Sequence, residues 1–157
     1  MPQRPPIEAE GAVATVTVLS VDPIAQDHVT LKKIFNHSEW TLCPNLKWTL
    51  ATSPSPESAL TIIRHTQIPI LLCGCDHKPN TWKQMLEVFA LLSDPPFLIV
   101  TSRTADERLW AEALNLGAYD VLAKPFDQTE VIRIVSLAWL HWKDRRDRLP
   151  AFAQAVA

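Results

Sequence analysis

Five short apolar runs, each followed by a segment of helical periodicity, recur along this chain, and that alternation constrains the fold more than any other feature of its 157 residues. The runs are VATVTVLSV (13–21), KWTLAT (47–52), IPILLC (68–73), FLIVT (97–101) and AYDVLA (118–123). Three of them are nearly continuous in Val, Ile, Leu and Phe, as in strands covered on both faces. Between them, residues 24–37 place Ile24, Leu31, Ile34 and Phe35 on one helical face, and residues 81–92 do so with Trp82, Met85, Leu86, Phe89 and Leu92. Strands that alternate with helices pair in parallel through right-handed crossovers, so the expected architecture is a single-domain, doubly wound α/β sheet.

Helix boundaries follow from local chemistry. Ser55 before Pro56 supplies an N-cap and a proline at the first helical position, while Thr104 with Glu107 and Asp127 with Glu130 have capping-box spacing. Gly117 closes a helix expected over 104–116, where a left-handed C-cap suits glycine. The last helix is expected to run to about residue 147. Residues 1–12, rich in Pro, Glu and Gln and without periodicity, are expected to be a disordered tail, leaving a domain over 13–147 and a second tail over 148–157. The long link NHSEWTLCPNL (36–46) carries Trp40 and is followed by Trp48, a pair expected to cover the sheet edge.

Composition narrows the function classes. Fifteen basic against seventeen acidic residues give a net charge of −2, so no global field favours nucleic acid or anionic lipid. No apolar run reaches the roughly 18 residues of a membrane span, and the N-terminus lacks a signal-peptide core, so a soluble cytoplasmic protein is expected. The glycines Gly11, Gly74 and Gly117 form no phosphate loop, and the five histidines form no triad with a nucleophile, so no enzyme activity is expected. Cys43, Cys73 and Cys75 are an odd number, which suits a reducing compartment. Cys73, Cys75 and His77 read as Cys-x-Cys-x-His, but alternate strand residues lie about 6.5–7 Å apart and zinc ligands are usually spaced C-x₂₋₄-C, so buried thiols are expected rather than a metal site.

One stretch is more specific. In GAYDVLAKPF (117–126) a strand ends on Lys124 and is stopped by Pro125, which cannot pair further. A lysine is thereby placed at the carboxyl edge of the sheet, where ligands of open α/β sheets bind. Together with FLIVTSRTADERLWAEALNL (97–116), this stretch resembles the second half of a response-regulator receiver domain, and the resemblance extends over about residues 13–143. It implies a flavodoxin-like (βα)5 fold with strand order 2-1-3-4-5. It also implies Thr101 as the switch hydroxyl, Lys124 as the lysine of the phosphorylation pocket, and a cis Lys124–Pro125 bond.

The first half departs from that family. A receiver carries two adjacent acids after strand one, which hold Mg²⁺, and an acceptor aspartate after strand three. Here Asp22 is followed by Pro23, and the acceptor position falls on Gly74 or, counting back from Pro79, on Cys75. Asp76 lies one or two residues downstream and is expected to enter the pocket only if the loop is rebuilt. With one acid and a displaced second, Mg²⁺ binding is not expected, and no other cofactor is implied. The position of the family's aromatic rotamer switch holds Val121.

These features define a remnant pocket of Asp22, Gly74, Cys75, Asp76, Thr101 and Lys124. The function they imply is that of a stand-alone, atypical receiver in two-component or phosphorelay signalling, independent of phosphorylation and working through protein–protein interaction. The alternative is a phosphorylation-driven switch that uses Asp76. The implied partners are a histidine kinase, another regulator or a second copy of the chain. Trp139, Trp142, Arg145 and Arg146 on the last helix form a candidate interaction face, with Trp142 expected to be partly exposed.

Overall fold

A computed structural model describes residues 14–37 and 39–148. The expected N-terminal tail and residues 149–157 lie outside these. The chain alternates β1 (Ala14–Val21), α1 (Ala25–His37), β2 (Leu46–Ser53), α2 (Pro56–His65), β3 (Ile70–Gly74), α3 (Thr81–Phe89), β4 (Phe97–Ser102), α4 (Glu107–Asn115), β5 (Asp120–Ala123) and α5 (Gln128–Asp147). The five strands form one sheet in the order β2-β1-β3-β4-β5, every pair parallel, as the alternation and the resemblance both implied.

The two-residue period of the strands explains why both faces are covered. Val16, Val18, Ile70, Leu72, Ile99 and Leu122 point to the side packed by α1 and α5, against Leu31, Ile34, Phe35, Val131, Ile134 and Val135. The alternate residues Leu19, Val21, Leu71, Cys73, Leu98 and Val100 point to the side of α2, α3 and α4, against Ala59, Trp82, Met85, Phe89 and Ala113. β3, in the middle of the sheet, is buried along its whole length. Trp40 stacks on Trp48 with ring centroids 4.5 Å apart beside Phe35, so the long link after α1 folds back over the sheet as expected.

Several helix signals hold and one shifts. Ser55 accepts from the Ser58 amide at 3.3 Å, and Asp127 accepts from the Thr129 amide at 2.9 Å. Gly117 has φ 101°, and the Lys124–Pro125 bond is cis. α4, expected to start at Thr104, starts at Glu107 instead. Asp106 is its cap, accepting from the Leu109 amide at 2.9 Å, whereas the Thr104 amide donates to Ser102 Oγ at 3.0 Å. A carboxylate that reaches the third amide of the helix displaces the more distant threonine.

The partial exposure expected of Trp142 on α5 requires correction. Trp142 is only 2% exposed, its Nε1 donates to the Pro95 carbonyl at 3.3 Å, and its ring stacks on Trp139 at 5.7 Å. Arg145 reaches Asp94 and the Pro95 carbonyl and lies over the Phe97 ring, and Arg146 pairs with Asp94 and lies over Trp142. These side chains, at the end of α5, hold the α3–β4 loop. Among the described residues, the large exposed aromatic is Trp110 on α4, 52% exposed. Among the described residues no helix is long and apolar enough to cross a membrane.

Candidate functional site

The C-terminal ends of β1, β3, β4 and β5 converge on Lys124, because parallel strands present all their carboxyl ends to one edge. The chain enters that edge through β5, whose Lys124 amide donates to the Ser102 carbonyl at 2.9 Å. Pro125 then turns the backbone away. The Lys124 side chain is 1% exposed, and its Nζ lies 2.6 Å from Asp22 Oδ2, 2.9 Å from Asp27 Oδ2 and 3.1 Å from Asp76 Oδ2. The ammonium donates to Asp22 and to Asp27 and forms an ion pair with Asp76 beside them.

Each acid reaches this point from a different element. Asp22 follows β1, and its Oδ1 also accepts from the Ile24 amide at 2.9 Å, which fixes the turn into α1. Asp27 lies in the first turn of α1, where an acid is favoured by the helix dipole. Asp76 follows β3. Its Oδ1 accepts from Ser102 Oγ at 3.0 Å and from the Arg103 amide at 2.9 Å. The Asp76 side chain is only 15% exposed although its backbone faces solvent. The downstream aspartate therefore enters the pocket, by way of the β3–α3 loop.

A second cation closes the cluster from outside. Arg103 places Nη2 2.9 Å and Nη1 3.2 Å from the two oxygens of Asp27, and Nη1 lies 3.3 Å from Asp76 Oδ2. Its side chain is half exposed, in contrast to Lys124. Burial pushes the Asp27 carboxyl up, but hydrogen bonds from Lys124 and Arg103 outweigh it and hold the group below the ordinary aspartate range. For Asp76, burial is likewise outweighed, by the Arg103 amide, Lys124 and Ser102. Burial lowers the Lys124 ammonium pKa, but the hydrogen bonds to the three acids outweigh that and hold it above its usual value. All three shifts favour the charged forms.

The sequence reading placed Asp22, Gly74, Cys75, Asp76, Thr101 and Lys124 in one pocket, and the fold brings their backbones together there. Thr101 is buried and pairs with Gly74 across the sheet, on the β4 face of Ile99, while the hydroxyl bonded to Asp76 is that of Ser102, on the face of Leu98 and Val100. The apolar run that marked the strand stopped one residue short of its end, and one residue reverses the face. Asp27 and Arg103 were not read from the sequence. An acid in the first turn of the helix that follows Asp22 was the available signal for the first; for the second there was none.

Gly74 and Cys75 have specific roles. A Cβ at Gly74 would lie 2.1 Å from Asp22 Oδ2, so the glycine is what lets Asp22 cross over β3 toward Lys124. The Cys75 amide donates to the Thr101 carbonyl at 3.1 Å and continues the β3–β4 ladder by one bond. Its thiol is buried, and burial raises its pKa. Burial raises that of Cys73 to about 12. Neither Gly74 nor Cys75 offers a carboxylate. Three carboxylates converge, one more than the acid and displaced second acid expected, but protein cations already occupy them, so they do not fit a bound Mg²⁺ in this arrangement.

No protein-family model matches the sequence, and no curated protein matches it. Among solved structures, a signal receiver domain of an HD domain-containing protein from Pseudomonas fluorescens superposes with TM-score 0.67 at 22% identity, over 85% of this chain and 93% of that one. A response regulator from Thermotoga maritima gives TM-score 0.66 at 18% identity, over 79% and 97%. The receiver domain of a Francisella response regulator gives 0.64 at 16%, over 80% and 98%. With the 2-1-3-4-5 parallel sheet and a buried lysine at the end of β5, these superpositions establish that the chain has the receiver-domain fold of response regulators.

Proposed function

We propose that this chain is a receiver-type signal-transduction module that does not take up a phosphoryl group by the usual route and acts through protein–protein contact. The observation that carries this reading is the engagement of Lys124 with Asp22, Asp27 and Asp76 together. With two donors given to Asp22 and Asp27 and its charge shared with Asp76 as well, the ammonium is already committed to carboxylates rather than to a phosphoryl oxygen. Phosphoryl transfer rests on positioning and on charge neutralisation, and at the end of β3 Gly74 and Cys75 offer no carboxylate to attack. A histidine kinase or another regulator of a two-component or phosphorelay network is the class of partner that suits such a module. The surface that supports contact surrounds exposed Trp110, where Val121 and Ala123 form an apolar floor and Asp106, Glu107, Asp127 and Glu130 form an acidic rim, matching a partner segment that carries Lys or Arg.

A second reading is favoured by one observation. Asp76 stands beside both Lys124 and the Ser102 hydroxyl, and could serve as a displaced acceptor if Arg103 moved aside. Incubation with acetyl phosphate and Mg²⁺, followed by intact mass measurement, separates the two. The first reading expects no gain of a phosphoryl group. A stoichiometric gain that Asp76→Asn removes would replace it with the second.

A further inference from the structure

The carboxylates of Asp22, Asp27 and Asp76 each approach one point, Lys124 Nζ, to within 3.1 Å, so their contacting oxygens lie within about 6 Å of one another. Three carboxylates against one ammonium leave two negative charges, the charge that one divalent cation balances. Hard divalent cations bind oxygen ligands from such clusters. Arg103 lies at this place, bridging Asp27 and Asp76 with one nitrogen and completing a two-point contact on Asp27 with the other.

We propose that Arg103 is a built-in replacement for a divalent cation, and that its guanidinium, rather than a lack of ligands, keeps metal out of this site. Four observations converge on it. The fold brings three carboxylates together at one point. Two of the three are held by Arg103. The backbone amide of the same residue fixes Asp76, so the loop that places the acid also places its counter-ion. Finally, the Arg103 side chain is half exposed while Asp22, Asp27 and Lys124 are buried and the Asp76 side chain is mostly covered, so removing it opens the cluster to solvent without opening the core. A guanidinium matches the planar fork of carboxylate geometry and cannot be deprotonated, so it stays in place over the accessible pH range. Through these contacts it ties the start of α1, the β3–α3 loop and the β4–α4 loop together.

The proposal is independent of whether Asp76 takes up phosphate, since it concerns metal alone. The test is to titrate the full chain with Mg²⁺ and with Mn²⁺, following heat by calorimetry and bound Mn²⁺ by electron paramagnetic resonance. The wild type and Arg103→Lys, which keeps the charge, should bind neither ion at millimolar concentration. Arg103→Ala and Arg103→Gln should each bind one ion at least about tenfold more tightly and melt at a higher temperature in its presence. Asp76→Asn added to Arg103→Gln should remove that binding. The proposal fails if the wild type binds Mg²⁺ as well as the Arg103→Gln variant does, or if both uncharged variants fold, as judged by circular dichroism, and still bind no metal.

Discussion

Replacing Lys124 with alanine should be among the most damaging single changes in this domain, and the reason is electrostatic. The ammonium is 1% exposed and is bonded to three carboxylates, of which Asp22 and Asp27 are also buried. Removing one partner of a buried ion pair leaves the other charge uncompensated and costs about 3–5 kcal/mol. Here three carboxylates within about 6 Å are left with Arg103 alone, and at an effective dielectric of about 20 each pair of like charges repels by about 3 kcal/mol. The acids would relieve part of this by taking up protons, so the loss should be nearer about 4 kcal/mol than the sum of the repulsions. For a domain of this size that lowers the melting temperature by roughly 10–20 °C. The pH dependence gives a sharper signature. In the wild type the Asp27 and Asp76 carboxyls are held low, so their contribution is full above the ordinary aspartate value of 3.8 and is lost as pH falls through their folded-state values. Lys124 is held high, so its contribution is full below 10.5 and is lost only as pH rises past its folded value. Stability should therefore be flat between about pH 4 and pH 10 as far as this cluster is concerned. In Lys124→Ala the acids are raised instead, the folded state binds the extra protons, and stability should increase on going from pH 7 to pH 5. Urea unfolding at pH 5, 7 and 9 measures both effects. A loss below about 1 kcal/mol with an unchanged pH profile would refute the reasoning, because it would mean that the cluster is effectively solvated.

Two further substitutions test neighbouring parts of the structure. Gly74→Ala, which in an open site with ordinary backbone geometry would stabilise slightly, should instead cost about 1–3 kcal/mol by urea unfolding, since the new Cβ would fall 2.1 Å from Asp22 Oδ2. Trp142→Glu should prevent stable folding, as a buried indole truncation alone costs about 3–5 kcal/mol and a buried carboxylate adds to that, whereas Trp110→Glu should change stability by no more than about 0.5 kcal/mol. Equal melting temperatures for the two tryptophan variants would show that the α5 end is not packed as described.

Much of the architecture was legible in the sequence because its signals are local. The two-residue period of Ile70 to Cys73, apolar at every position, requires cover on both faces, and the helical segments between runs provide it. Gly117 and Pro125 announce their backbone conformations by residue type, and Lys124 announces its place because proline ends the strand behind it. The reading was weakest where one residue of register or one unplaced side chain mattered. Thr101 and Ser102 are adjacent hydroxyls, and only the pairing of Gly74 with Thr101 decides which of them meets Asp76. Trp142 looked like an exposed aromatic on a helix end until the α3–β4 loop, far away in sequence, was found against it.

What the sequence determined by itself was therefore the repeating βα order, the sheet edge that carries the site, and the absence of a carboxylate at Gly74 and Cys75. The content of that site came from the three-dimensional packing: Asp27 from a helix and Asp76 from a loop, 97 and 48 residues from Lys124 in the chain, meet its ammonium, and Arg103 from a second loop meets both acids. The physical reason is that periodicity and capping act between neighbours, within a turn or a pleat. Charge neutralisation in a buried cluster instead depends on distances of about 3 Å between segments whose separation along the chain carries no information about their separation in space.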